Sequence, residues 1–164
     1  MSFIATATPP SNQGATSPDP LVIENDGWFP DINLSHMRDA MRLDGTVTDP
    51  RLAQAIIEAI IHVNQELEDW QMKNMAAGHL SMAGITAATI NRESKLTIHY
   101  RRAVYSTAKA DLIERYRDID STASSMSDKK SMEWLNDAPD DQRRNAHWAV
   151  ADILGRTHST VELI

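Results

Sequence analysis

Between Thr48 and Gly78 apolar residues return at helical spacing. Leu52, Ile56, Ile60, Val63, Leu67 and Trp70 follow one another at steps of four, four, three, four and three, which lays them on one stripe of a helix. Asp49 can cap that helix, Pro50 suits its first position, where no N–H is needed, and Gly78 can take the left-handed conformation that ends helices. The pattern predicts a central helix over about residues 50–77, roughly 40 Å long at ~1.5 Å per residue. Ile57 and Ile61 widen the stripe, so the helix is expected to be flanked by more than one neighbour and its apolar face to be chiefly intramolecular. Asp69 and Lys73 are expected to pair across one turn of the outer face.

A second long helix is predicted over about residues 92–116, with Asn91 as its cap and Glu93 in its first turn. Leu96, Tyr100, Ala103, Thr107 and Ala110 share one face, and the small residues Ala103, Ala108 and Ala110 allow close approach to the central helix. On the remaining surface, Asp111 with Arg115 and Glu114 with Arg117 read as local pairs of a solvated face. The segment Gly78 to Thr89 reads as a loop folded over the helix ends, with Met82, Ile85 and Ile90 as plugs. Shorter helices are predicted from Asn33 to Leu43, closed by Asp44-Gly45, from Asp128 to Leu135, and from Pro139 to Leu154, stopped by Gly155. The expected fold is all-α: a small bundle around two long antiparallel helices, with extended ends.

Residues 1–26 are small, polar and proline-rich, and bury too little apolar surface to offset chain entropy, so they are expected to form a flexible arm. Leu21-Val22-Ile23 is the exception, suited to dock as a short edge strand on the body or on a partner. In Trp28-Phe29-Pro30-Asp31-Ile32 two neighbouring rings either seal one end of the core or fill a pocket on another subunit. The tail, residues 156–164, is β-branched and partly alternating, too short to be a strand alone but able to join the edge of a partner's sheet. The chain thus divides into an arm (1–26), a helical domain (27–155) and a tail (156–164), with Leu21, Val22, Ile23, Trp28, Phe29, Arg156, Val161, Leu163 and Ile164 as the expected partner contacts.

Composition narrows the function. The 164 residues suit one domain, and the absence of cysteine excludes a disulfide framework or a thiolate zinc site. No apolar run approaches the ~20 residues that span a bilayer, and no signal peptide is visible, so a cytosolic place of assembly is expected. Sixteen Lys and Arg against 23 Asp and Glu give a charge of -7, a poor basis for non-specific binding of nucleic acid. No catalytic constellation emerges. The six histidines show no His-x-x-x-His spacing, there is no phosphate-binding glycine loop, and the serines at 124, 125 and 127 lack a nearby base. No cofactor or metal is expected.

The residues carry a resemblance. Trp28-Phe29-Pro30-Asp31-Ile32 is followed by Met41-Arg42-Leu43-Asp44-Gly45-Thr46-Val47, then Tyr100-Arg101-Arg102-Ala103-Val104, then Leu112-Ile113-Glu114-Arg115-Tyr116-Arg117-Asp118, then Asp128-Lys129-Lys130, then His147-Trp148-Ala149-Val150-Ala151-Asp152-Ile153. In this order and spacing the chain resembles the head completion (GPL) family of contractile-tailed phages. The resemblance covers residues 28–164 and departs from an uninterrupted helix around Asn136-Asp137-Ala138-Pro139. It implies a helical adaptor without enzymatic activity, a virion component at the head-tail junction assembled in the host cytoplasm. Its implied partners are the portal protein, neighbouring copies in a twelve-fold ring, and a downstream neck or tail-completion protein. Packaged double-stranded DNA would pass through the channel without specific binding. A reading of another class remains beside it: a regulatory or nucleic-acid-binding helical module that contacts phosphates through Arg101, Arg102, Arg115 and Arg117. On either reading the contacts are expected on the elements hung from the central helix, namely the Leu21-to-Ile32 arm, the Gly78-to-Thr89 loop and the tail.

Overall fold

The structure, a computed structural model, describes residues 21–122, 135 and 137–158. Its elements run β1 (Val22–Ile23), β2 (Ile32–Asn33), α1 (Leu34–Ala40), α2 (Asp49–Ala76), a 3-10 turn (Met82–Gly84), β3 (Thr89–Ile90), β4 (Glu93–Ser94), α3 (Lys95–Thr122) and α4 (Pro139–Leu154). The expected Asp128–Leu135 helix lies outside the described residues except for Leu135.

The three longer helices carry the fold. α2 has Pro50 in its first turn and is closed by Gly78 at a φ of 94°, as its sequence predicts, but Asp49 is its first residue rather than its cap and accepts from Arg38 at 2.7 Å. α4 likewise begins on Pro139 and stops at Gly155, which is left-handed at a φ of 67°. α3 lies between the other two and packs most extensively on α4. Cross-links fix the directions. Arg51 and Glu58 near the start of α2 meet Tyr116 and Arg115 near the end of α3, while Asn64 further along α2 meets Tyr100. The two helices are therefore antiparallel. Leu52, Ile56 and Leu67 are completely buried on the stripe the spacing defines, each stabilising the fold by roughly 1.5–3 kcal/mol. Ala103 and Ala108 of α3 are also completely buried, as close packing of helices requires.

The described fold is mainly helical rather than all-α, since two antiparallel ribbons join the helices. β1 pairs with β2 through Val22–Asn33 and Ile23–Ile32, and β3 pairs with β4 through Thr89–Ser94 and Ile90–Glu93. The second ribbon replaces the expected start of the second long helix. Asn91 and Arg92 do not cap it; they are the two central residues of a tight hairpin turn, at φ values of 51° and 64°. Positive φ at both positions matches strand twist in a two-residue hairpin. α1 is also shorter than expected: Asn33 caps its start, its side chain accepting the His36 N–H at 2.8 Å, and Arg42 ends it early at a φ of 55°, with the Leu43 N–H turned back to the Arg38 carbonyl at 2.9 Å.

Other expectations change with the packing. Met82 plugs the core as expected and Ile85 is half-buried, but Ile90 stands out on its ribbon, exposed. Ile57 and Ile61 do not join the intramolecular core either. α3 and α4 sit on the far side of α2, so both isoleucines face outward. Among the described residues Asp69 and Lys73 form no ion pair, with each other or elsewhere. Arg115 instead reaches Glu58 on α2, and Glu114 takes a two-pronged contact from Arg143 of α4 at 2.5 and 2.6 Å.

Candidate functional site

With no reaction chemistry in the sequence, the candidate site is a set of contact surfaces. The first is the segment from Leu21 to Ile32. One Asp26 carboxylate oxygen accepts the backbone N–H groups of both Trp28 and Phe29 at 2.9 Å, which fixes a tight turn. The other oxygen accepts from Gln71 of α2 at 2.8 Å. Asn25 donates to the Tyr100 hydroxyl at 2.8 Å, that hydroxyl donates to Asn64 at 2.6 Å, and Asn64 donates back to Asn25 at 2.9 Å. This closed network ties three separate segments together. Burial pushes the Tyr100 hydroxyl pKa well above its ordinary value, so it stays a neutral donor.

Trp28 and Phe29 sit on this network and belong to the core. Phe29 stacks on Tyr100 with centroids 4.9 Å apart, Trp28 meets Trp70 edge-on at 5.6 Å, and the Trp28 indole N–H donates to the His79 carbonyl at 3.1 Å. Both rings are buried, so in this conformation neither presents a surface to a partner. Val22 and Ile23 are half-buried in the first ribbon, which leaves Leu21 as the exposed apolar residue of the segment. Residues 21–26, expected within the arm, are held against α1, α2 and α3.

The second surface is where the chain leaves α4. Arg156 is exposed, with its backbone N–H on the Ala151 carbonyl at 2.9 Å. His158 stacks on Trp148 with centroids 5.3 Å apart and contacts the Asp152 carboxylate at 2.9 Å. The tail is thus anchored on α4 as far as His158. Val161, Leu163 and Ile164 lie outside the described residues.

The third is a cleft between α2 and α4 with α3 as its floor. Its wider part, about 410 Å³, is lined by Glu58, His62, Asp111, Arg143 and His147 among others, and its narrower part, about 330 Å³, runs past Leu154 to Arg156. Burial pushes the Asp111 carboxyl above the usual carboxylate range, opposed by Arg115 and Arg143. Among the described residues no three His, Asp or Glu side chains converge as a metal site, and no helix is long and apolar enough to cross a membrane.

The arginine face proposed for phosphate contact is not assembled. Arg101 pairs with Glu93 at 2.7 Å, Arg102 donates to Asn145 at 3.0 Å, Arg115 pairs with Glu58, and Arg117 donates to the carbonyls of Leu135 and Asp137 at 2.8 and 3.0 Å. At about 100° per residue these four positions also point around more than half of the helix. They brace the bundle.

The arrangement is therefore a braced helical body with contact surfaces at its edges, and the comparison with known proteins agrees in kind. Residues 23–164 match the family model described as phage head completion protein (GPL). The chain belongs to the head completion protein family. It is 38% identical over 146 residues to the head completion/stabilization protein of Escherichia phage P2, covering 89% of this chain and 85% of that one. No solved structure matches. Membership makes the chain a structural head completion component of a phage virion. The match to the head completion family starts at Ile23, so it takes in the buried Trp28–Ile32 knot, all of the first ribbon but Val22, the second ribbon and the helices α1 to α4.

Proposed function

We propose that the chain is a head-to-tail connector. It docks beneath the portal after DNA packaging, repeats around the portal axis as a ring, most simply twelve-fold, and offers the next neck or tail-completion protein its binding surface. The observation that carries this reading is the match to head completion proteins over residues 23–164. The body supports it, since helices braced by cross-helix ion pairs such as Arg115–Glu58 and Arg143–Glu114 hold a fixed frame that presents the two chain ends to partners.

The tail is the element assigned to the portal. Val161 and Leu163 alternate with Thr160 and Glu162, the period of a strand with one apolar face, and Ile164 ends the chain on the other face. Added to the edge of a portal sheet, such a strand gains main-chain hydrogen bonds it cannot make alone. Leu21 and Arg156 are the further contacts at the two ends. Duplex DNA passes through the ring without being held, because the chain's charge of -7 repels phosphate. No ligand or cofactor enters this function.

The test removes residues 159–164 and spares His158, whose stacking on Trp148 belongs to the body. The truncated protein is expected to keep its helical circular dichroism and its melting temperature, and to lose binding to filled heads. A normal yield of completed heads would sink the tail's assigned role.

A further inference from the structure

The outer face of α2 is unlike the surface of a free-standing helix. Ile57, Ile61, Met72 and Met75 are 39%, 62%, 62% and 53% exposed. At about 100° per residue these four and Glu68 fall within about 60° of one another, along roughly 27 Å of the helix. They form one apolar line interrupted by one acid. Glu68 and Asp69, both exposed, have no side-chain partner among the described residues. A line of this length on a helix that already buries its other stripe marks a contact surface.

A complementary surface exists elsewhere on the same chain. The β3–β4 ribbon carries Ile90, 63% exposed, at the edge of its turn. Arg92 in the turn and Lys95 just after it are exposed, and neither side chain has a partner among the described residues. The ribbon rests on α3 rather than on α2. One feature is thus apolar with the unpaired acids Glu68 and Asp69, Lys73 standing about 100° round the helix from Met72, and the other is apolar with unpaired cations. The Glu68–Met75 half of the line and the ribbon both stand at the end of the bundle where α2 finishes and α3 begins, hence at the same height. Two different faces that match at one height are what a head-to-tail contact around a closed ring needs. Two copies of the same face would set Glu68 and Asp69 against their like.

We propose that the Glu68–Met75 end of the exposed face of α2 is covered by the β3–β4 ribbon of a neighbouring copy of this chain, with Ile90 against Met72 and Met75 and with Arg92 and Lys95 facing Glu68 and Asp69. This rests on the ring reading above and names the surface that forms the ring. The charges steer the approach and fix the register, and the apolar line supplies the buried core of the contact.

The absence of native cysteine makes the test direct. Met72→Cys and Ile90→Cys are placed in one full-length chain, which is bound to filled heads and treated with a short bis-maleimide. The expected result is a ladder of linked copies beyond the dimer, with either single variant staying monomeric on a denaturing gel. Adding Glu68→Arg and Asp69→Arg abolishes the ladder, and Arg92→Glu with Lys95→Glu in the same chain restores it. A dimer from Met72→Cys alone, meaning α2 packed on α2, overturns the proposal. So does a double variant that binds heads but stays monomeric, the outcome expected if the chain's own residues 1–20 cover the face. Head binding is scored separately by sedimentation. A chain that binds without a ladder removes only this surface, whereas a wild-type chain that fails to bind heads removes the connector reading as well.

Discussion

Asp111 is a carboxylate placed where its charge is unwelcome. Burial in the cleft pushes its pKa up, and the pull of Arg115 and Arg143 does not fully offset this. A carboxyl whose folded value lies above its unfolded value of about 3.9 contributes stability below that value and loses it as pH rises through the folded one. At neutral pH the charged form is therefore a liability. Glu58 and Glu114 have the opposite sign. Hydrogen bonds from Gln54 and Arg115 lower the first, and Arg143 lowers the second, so their contribution is present at neutral pH and lost as pH falls. Asp111→Asn is expected to raise the melting temperature at pH 7, with the gain shrinking to nothing below about pH 4. Thermal melts across that range check it, and a gain independent of pH would show that charge is not the cause. None of these roles was legible in the spacing. Asp111 with Arg115 and Glu114 with Arg117 have the separations of local helix pairs, but long side chains reach across to neighbouring helices, and sequence separation does not record which helix is adjacent.

At the scale of elements, legibility followed periodicity and caps. α2 and α4 were readable because a proline, a glycine and an apolar stripe all agree on their limits. The β3–β4 ribbon was not, since two-residue strands carry no periodicity and the turn lacks the usual Asn-Gly pair. Arg92 holds a φ of 64° without being glycine, a conformation that costs an L residue roughly 1–2 kcal/mol. Glycine removes that strain but loses more chain entropy on folding, by about 0.5–1 kcal/mol. Arg92→Gly is therefore expected to stabilise the isolated chain by about 0.5–1 kcal/mol, measured by urea denaturation. The same change deletes a cation from the ribbon, so the more stable variant should assemble less well. A variant that is both more stable and better assembled would argue that Arg92 contributes nothing to the contact.

At the scale of the whole molecule, the covered and uncovered sides of α2 could not be told apart from sequence. Ile57 and Ile61 are apolar whether they face α3 or a second copy, and the pattern of one chain does not say how many neighbours a helix has. Charge is a similar case. The four arginines of α3 read equally well as a phosphate-binding face or as internal braces until their partners are known, and those partners are Glu93, Asn145, Glu58 and the carbonyls of Leu135 and Asp137. Spent in this way, they leave a chain whose net charge of -7 opposes a polyanion. Counterion release drives non-specific DNA binding in proportion to the cations that reach phosphate, and among the described residues the unpaired Arg42, Lys73, Arg92, Lys95 and Arg156 are scattered rather than gathered on one face. The protein is accordingly expected to give no shift of duplex DNA at about 0.15 M salt. If a shift does appear and collapses steeply as salt is raised, the arginines must leave their internal partners to reach DNA. Glu58→Gln, which frees Arg115, should then strengthen the shift. An unchanged salt dependence in that variant would place the DNA contact elsewhere on the chain.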